Sequence, residues 1–109
     1  MPGQHSYSTA KAGVIMLTRC MAIDGAPEGI RVNCICPGFV KTPMADSFLK
    51  SQDNPEKTKK YIESLHPIGR IGKPEDIASG FAYLASEDAS WITGIALPID
   101  GGWSAGSAN

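Results

Sequence analysis

Ile30-Arg31-Val32-Asn33-Cys34-Ile35-Cys36, halted by Pro37-Gly38, is the stretch on which the fold turns. Apolar residues at alternate positions give an extended segment one face for a core, and the Pro-Gly pair ends it in a turn, so a strand over 30–36 is predicted. Upstream, the run from Tyr7 to Ala26 is rich in helix formers. Ala10, Val14, Leu17 and Met21 recur at helical spacing, which predicts a long helix burying that stripe. Gly25 marks its end and Pro27 bars continuation. Downstream, residues 41–65 are more polar, with two weakly helical stretches broken near Pro55, and read as a mobile excursion. Pro74-Glu75-Asp76 opens another helix, with proline in its first turn and two acids to complement the positive helix end. Ile77, Phe81, Leu84 and Ala85 form its apolar stripe. Ile95-Ala96-Leu97-Pro98-Ile99 reads as a second strand, closed by Asp100-Gly101-Gly102.

The order helix, strand, helical excursion, helix, strand implies one right-handed parallel crossover. Parallel strands are usually buried on both faces and flanked by further strands. Two of them alone leave an apolar, unpaired edge. The pattern therefore predicts an α/β fold that is part of a larger doubly wound parallel sheet, cut partway through. Residues 1–109 form a single partial domain on this reading, with residues 41–65 an excursion within it.

Composition sets limits on function. The 109 residues carry a formal net charge of −1, with 42% hydrophobic and 19% charged residues, as expected of a soluble globular chain. That charge gives no general reason to bind nucleic acid or an anionic membrane. Lys57, Lys59 and Lys60 alternate with Glu56 and Glu63, as on the solvated face of a helix. The first residues have neither the basic nor the apolar region of a secretory signal. No apolar run approaches the roughly 20 residues of a membrane span. Cys20, Cys34 and Cys36 are odd in number and lack a C-x-x-C pair, and Cys34 and Cys36 read as small buried hydrophobes. A cytoplasmic location is expected.

Chemistry enters with Tyr7 and Lys11. Residues four apart lie on one helix face. An ammonium beside a phenol favours the phenolate and lowers the tyrosine pKa. Such a pair makes a proton-transferring tyrosine for carbonyl and alcohol chemistry. Gly38 lets the backbone turn and approach a ligand closely. Thr42, just before Pro43, can also be read as a helix cap. His5 and His66 have no carboxylate or cysteine cluster near them in sequence; both read as ordinary polar residues, and no metal site is expected. Trp91 and Trp103 read as packing or interface residues, and Gly101-Gly102 as turn geometry.

These residues together resemble a known family. Gly3-Gln4-x-x-Tyr7-Ser8-x-Ala10-Lys11-Ala12-Gly13 resembles the catalytic helix of short-chain dehydrogenases/reductases, with its Y-x-x-x-K pair. Ile30-Arg31-Val32-Asn33-x-x-x-Pro37-Gly38-Phe39-Val40-x-Thr42 resembles the family's sixth strand and following loop. Gly69-Arg70-Ile71-Gly72-x-Pro74-Glu75-Asp76-Ile77-Ala78 is similar to the start of its last long helix. Ile92-Thr93-Gly94-x-x-Leu97-x-Ile99-Asp100-Gly101-Gly102 resembles its closing strand and turn. The likeness is to the C-terminal half of family members, 3-oxoacyl-carrier-protein reductase-like ones in particular, and it implies the C-terminal portion of a Rossmann-like doubly wound parallel sheet without its N-terminal βαβ units.

The resemblance implies an oxidoreductase that moves a hydride between NAD or NADP and a small-molecule carbonyl or alcohol. Tyr7 would be the acid/base, and Lys11 would lower its pKa and bond the nicotinamide ribose. The backbone of Val40 and the hydroxyl of Thr42 would hold the nicotinamide carboxamide, with Pro37 and Gly38 shaping that wall. Residues 41–65 would be the substrate-binding excursion, and a homodimer or tetramer would be the assembly. Departures from the pattern count too. The family's glycine-rich pyrophosphate turn, its residue selecting NAD or NADP and its active-site serine have no counterpart among these residues. The 109-residue chain alone is therefore expected to be inactive. The alternative is a non-catalytic fragment that keeps only the fold and the oligomerisation surfaces.

Overall fold

A computed structural model describes residues 4–106, with side chains from residue 8 onward. Helix α1 (Gln4–Gly25) is followed by strand β1 (Cys34–Pro37), helices α2 (Pro43–Lys50), α3 (Pro55–Leu65) and α4 (Pro74–Ala85), and strand β2 (Ala96–Ile99). Single 3-10 turns occupy Ala26–Glu28, Glu87–Ala89 and Trp103–Ala105. The two strands pair in one sheet. The Cys34 N–H donates to the Ile95 carbonyl and the Gly38 N–H to that of Ile99, so both strands advance together and the pairing is parallel. The predicted α/β order is therefore present, as a partial Rossmann-like domain.

The chain divides into two compact units, Met1–Ile35 with Tyr83–Leu97 and Cys36–Ala82 with Pro98–Asn109. In the first, α1 ends where expected. Gly29 takes φ +75° after the 3-10 turn, and the Ile30 N–H donates to the Gly25 carbonyl at 3.0 Å. The buried side of α1 is not the predicted one. Thr18 and Ala22 are buried, whereas Val14, Leu17 and Met21 are about half exposed. The reason lies in the Thr93-Gly94 turn. Gly94, at φ +79°, has no side chain, and a Cβ built there would sit 3.3 Å from the Ala22 methyl, so the turn closes over Ala22. Among the described residues the buried apolar ones are Ala22, Ile62, Leu84 and Ala89. On α4, Leu84 is buried and Phe81 exposed, so that stripe is only partly realised; Trp91 is also exposed.

The strand predicted from Ile30 begins only at Cys34. In between, a backbone bond from the Gly94 N–H to the Val32 carbonyl at 2.8 Å is supplemented by polar side chains. The Val32 N–H donates to Thr93 Oγ1 rather than to a carbonyl. Asn33 bridges both ways, its amide donating to the Ile92 carbonyl at 3.1 Å and its oxygen accepting from the Ile95 N–H at 3.2 Å. Arg31 spreads its guanidinium over the carbonyls of Ile92 and Ser86. Cys34 and Cys36 are half-buried and Cys20 is exposed, a looser setting than predicted for the strand pair.

In the second unit each helix starts by the same rule: Pro43, Pro55 and Pro74 all occupy the first turn, where a missing N–H costs nothing. Thr42 caps α2 by accepting from the Ala45 N–H, and Asn54 caps α3 by accepting from that of Lys57. Residues 41–65 thus form two capped helices, and Ile62 of α3 is buried.

Asn33→Ala removes both bridging bonds between the two segments. It is predicted to lower unfolding free energy by about 1–3 kcal/mol. Denaturant melts of the two proteins measure the difference, and equal midpoints would contradict the assignment.

Candidate functional site

The second unit contains the turn that ends β1, and two residues, Asp100 and His66, close on it. A Cβ added to Gly38 would fall 2.9 Å from both Cα and Cβ of Asp100 and 2.9 Å from His66 Nε2. Real side chains do not tolerate such distances, so glycine is required at this position by close approach.

His66 departs furthest from its sequence reading. It is 2% exposed, not an ordinary loop residue. Its Nε2 lies 3.2 Å from the Phe39 nitrogen and its Nδ1 lies 2.8 Å from the Ile62 carbonyl. An amide can only donate and a carbonyl can only accept, so Nε2 is the acceptor and Nδ1 carries the hydrogen. The ring packs against Trp103, with centroids 5.2 Å apart. The same residue ends α3, and its Nδ1–H satisfies a carbonyl of the last turn that has no helical partner. The sequence signal, a histidine followed by proline at a helix end, fits the cap but does not reveal the bond to Phe39.

Asp100 organises the opposite side. Its Oδ1 accepts from the Gly102 N–H and its Oδ2 from the Ser104 N–H, each at 3.0 Å. Gly101 and Gly102 take φ +61° and +95°, so this pair is turn geometry as predicted. The Ile68 N–H donates to the Gly101 carbonyl, tying the segment after His66 to this turn.

Val40 forms a parallel bridge with Gly72. The bridging bonds run from the Gly72 N–H to the Phe39 carbonyl and from the Lys41 N–H to the Gly72 carbonyl. In that pattern the N–H and C=O of Val40 itself point away from Gly72. That bridge therefore leaves one donor and one acceptor of Val40 unspent. Thr42 Oγ1 accepts from Ala45, which uses one lone pair and leaves its own hydrogen free to donate. The cap reading of Thr42 is therefore realised, and it is compatible with ligand binding.

A cavity of about 160 Å³ lies beside this turn, with Gly38, Val40, His66, Gly72, Asp76 and Ile99 among its lining. At its rim Arg70 Nη1 donates to Asp76 Oδ2 at 2.8 Å and Nη2 to Oδ1 at 3.3 Å. Asp76 Oδ2 also accepts from the Lys73 N–H, closing the start of α4 in the manner of a capping box. The Arg70 bonds, then that of Lys73, hold the Asp76 carboxyl down to about 2 from its ordinary 3.8.

Of the predicted site residues, Pro37, Gly38, Val40 and Thr42 come together in the second unit. Tyr7 and Lys11 belong to the first, both on α1. Lys11 is half-buried. The side chain of Tyr7 lies outside the described residues. Among the described residues no three His, Cys, Asp or Glu are grouped to hold a metal ion, and no helix is long and apolar enough to cross a membrane.

The chain is similar to known proteins over nearly its whole length. Residues 1–104 match the family model described as enoyl-(acyl carrier protein) reductase. Over 101 residues the chain is 44% identical to the 3-oxoacyl-[acyl-carrier-protein] reductase FabG of Thermotoga maritima, covering 93% of this chain and 39% of the relative. A short-chain dehydrogenase family protein of Francisella tularensis superposes with a TM-score of 0.89 at 31% identity, over 97% of this chain and 46% of that one. ElxO, solved with NADP bound, superposes with a TM-score of 0.80 at 37% identity, over 92% of this chain and 39% of its own. The chain thus spans less than half the length of each of these relatives.

Two predictions follow from the site. Gly38→Ala is expected to lower stability by about 1–3 kcal/mol through overpacking against Asp100 and His66; a thermal melt with an unchanged midpoint would refute the close approach. Asp76 has a depressed carboxyl, so its contribution is present above pH 3.8 and lost as pH falls through about 2. The gap in Tm between wild type and Asp76→Asn should be constant near neutrality and shrink over that acid window. A gap independent of pH would contradict the pairing.

Proposed function

We propose a function that starts from kinship: the chain belongs to the short-chain dehydrogenase/reductase family, and its protein is a nicotinamide-dependent oxidoreductase of carbonyls and alcohols. The single observation that carries the reading is the wall formed by Gly38, Val40 and Thr42. It offers a backbone N–H, a backbone C=O and a free hydroxyl hydrogen beside a residue that must be glycine. A primary carboxamide has one acceptor oxygen and an NH₂ donor, which is the complement of that set. The bound cofactor, NAD or NADP, supplies the hydride chemistry. ElxO with its NADP supports the choice of cofactor class.

The chain's own residues have separable roles. Tyr7 exchanges a proton with the substrate oxygen as acid/base. Lys11, one helical turn on, keeps the phenol acidic and bonds the ribose hydroxyls. Pro37 and Gly38 set the wall, and Val40 and Thr42 orient the carboxamide. The α2–α3 excursion covers the substrate side, where Phe48 and Leu49 add apolar surface, and Phe48 already packs against Phe39 with ring centroids 6.3 Å apart. Copies assemble as a dimer or tetramer; the exposed Val14, Leu17 and Met21 on α1 are suited to such a contact.

Tyr7→Phe removes the transferable proton and leaves the wall untouched. In the full-length protein kcat is expected to fall by at least about 10²-fold while the Kd of the cofactor stays near wild type. Steady-state kinetics with a fluorescence titration measure both. Joint loss of turnover and cofactor binding would point to a structural role for Tyr7.

A further inference from the structure

We infer that His66 is a positioning residue, which holds the ligand wall in register by fastening the end of the excursion to it. The inference rests on the reading of Phe39–Thr42 as the carboxamide wall. Phe39 immediately precedes Val40. Its N–H goes to His66 Nε2 and its carbonyl to the Gly72 N–H, so both of its backbone groups are committed. With Phe39 held on both sides, the peptide plane that presents the Val40 N–H cannot rotate freely. Of these two ties, Gly72 is a backbone contact that most side-chain changes leave alone. The tie through His66 depends on one ring.

That ring is itself over-determined. Nδ1 is spent on Ile62 at the end of α3, and one ring flank lies against Gly38, where an added Cβ would meet Nε2 at 2.9 Å. Trp103 packs on it from the C-terminal turn. The imidazole therefore links three separate segments: the last turn of α3, the turn after β1, and the turn after β2. The ring carries an acceptor and a donor on separate edges, so it bonds Phe39 and Ile62 together from one buried position. A displacement of the end of α3 moves Nδ1, and through the rigid ring moves Nε2 and the Phe39 amide. In this way the position of the end of α3 is mechanically coupled to the orientation of the wall.

Two variants of the full-length protein separate this role from packing. His66→Phe keeps the aromatic bulk against Trp103 and removes both polar bonds. His66→Gln brings a carbonyl oxygen as far from the backbone as Nε2 and restores an acceptor for Phe39. Hydrogen exchange at the Phe39 amide should quicken in His66→Phe by on the order of tenfold or more relative to neighbouring strand amides, because its partner is gone. The cofactor Kd should rise on the order of tenfold, with a smaller change in kcat. His66→Gln should recover most of both effects. Unchanged exchange at Phe39 in His66→Phe, or equal losses in both variants, would overturn the inference. Should His66→Phe fail to fold, His66→Gln decides alone: near-native exchange at Phe39 supports the role, and tenfold faster exchange refutes it. If wild type binds no nicotinamide cofactor, the oxidoreductase reading fails, while the exchange arm still decides whether His66 holds Phe39.

Discussion

A single imidazole, His66, joins the backbone of Phe39 to the last turn of α3, and the geometry of the second unit follows from that constraint. Its acceptor must face Phe39 and its hydrogen must face Ile62. With both nitrogens assigned, the ring plane is set, and the flank that remains leaves room for a hydrogen but not a methyl on Gly38. Gly38 in turn lies against Asp100, whose carboxylate shapes the closing turn. Each of these residues limits the next, and the Val40 amide that follows is left unspent by its bridge to Gly72.

Polar bridges of this kind carry an unusual share of the structure. The buried apolar residues among those described are few, and only Ile62 and Leu84 are large. Complete burial of such a side chain contributes about 1.5–3 kcal/mol. Leaving a buried donor or acceptor unpaired costs about 1–3 kcal/mol, so one broken bridge rivals one lost core residue. In the first unit the partly buried side chains of Arg31 and Asn33 tie 31–33 to 86–95 beside the backbone bond from the Gly94 N–H to the Val32 carbonyl.

Much of the helical structure was legible in the sequence because its signals are local. Pro43, Pro55 and Pro74 can open helices but not continue them, Thr42 and Asn54 are good caps, and Gly25 with Pro27 marks a stop. The strand limits were less legible. Alternation cannot distinguish a ladder from an extended segment held by side chains, and Arg31 and Asn33 tipped the balance. The buried stripe of α1 was misplaced because it depends on where Gly94 meets the helix, a contact with Ala22 far away in sequence. His66 was hidden for the same reason: its key partner is a backbone amide 27 residues distant, and a backbone amide has no letter in the sequence. Val40 and Thr42 were singled out through family resemblance; of their structural roles only the Thr42 cap was legible in the sequence, not the Val40 bridge to Gly72.

The wall and the Tyr7–Lys11 pair divide the proposed chemistry between orienting a cofactor and moving a proton. The most direct test of that division is the amide spectrum of the full-length protein during titration with NADH or NADPH. The account predicts saturable shifts at the Val40 and Thr42 amides that follow the same binding curve as cofactor fluorescence. Saturable binding that leaves both amides unmoved, or no binding of either cofactor, would contradict it.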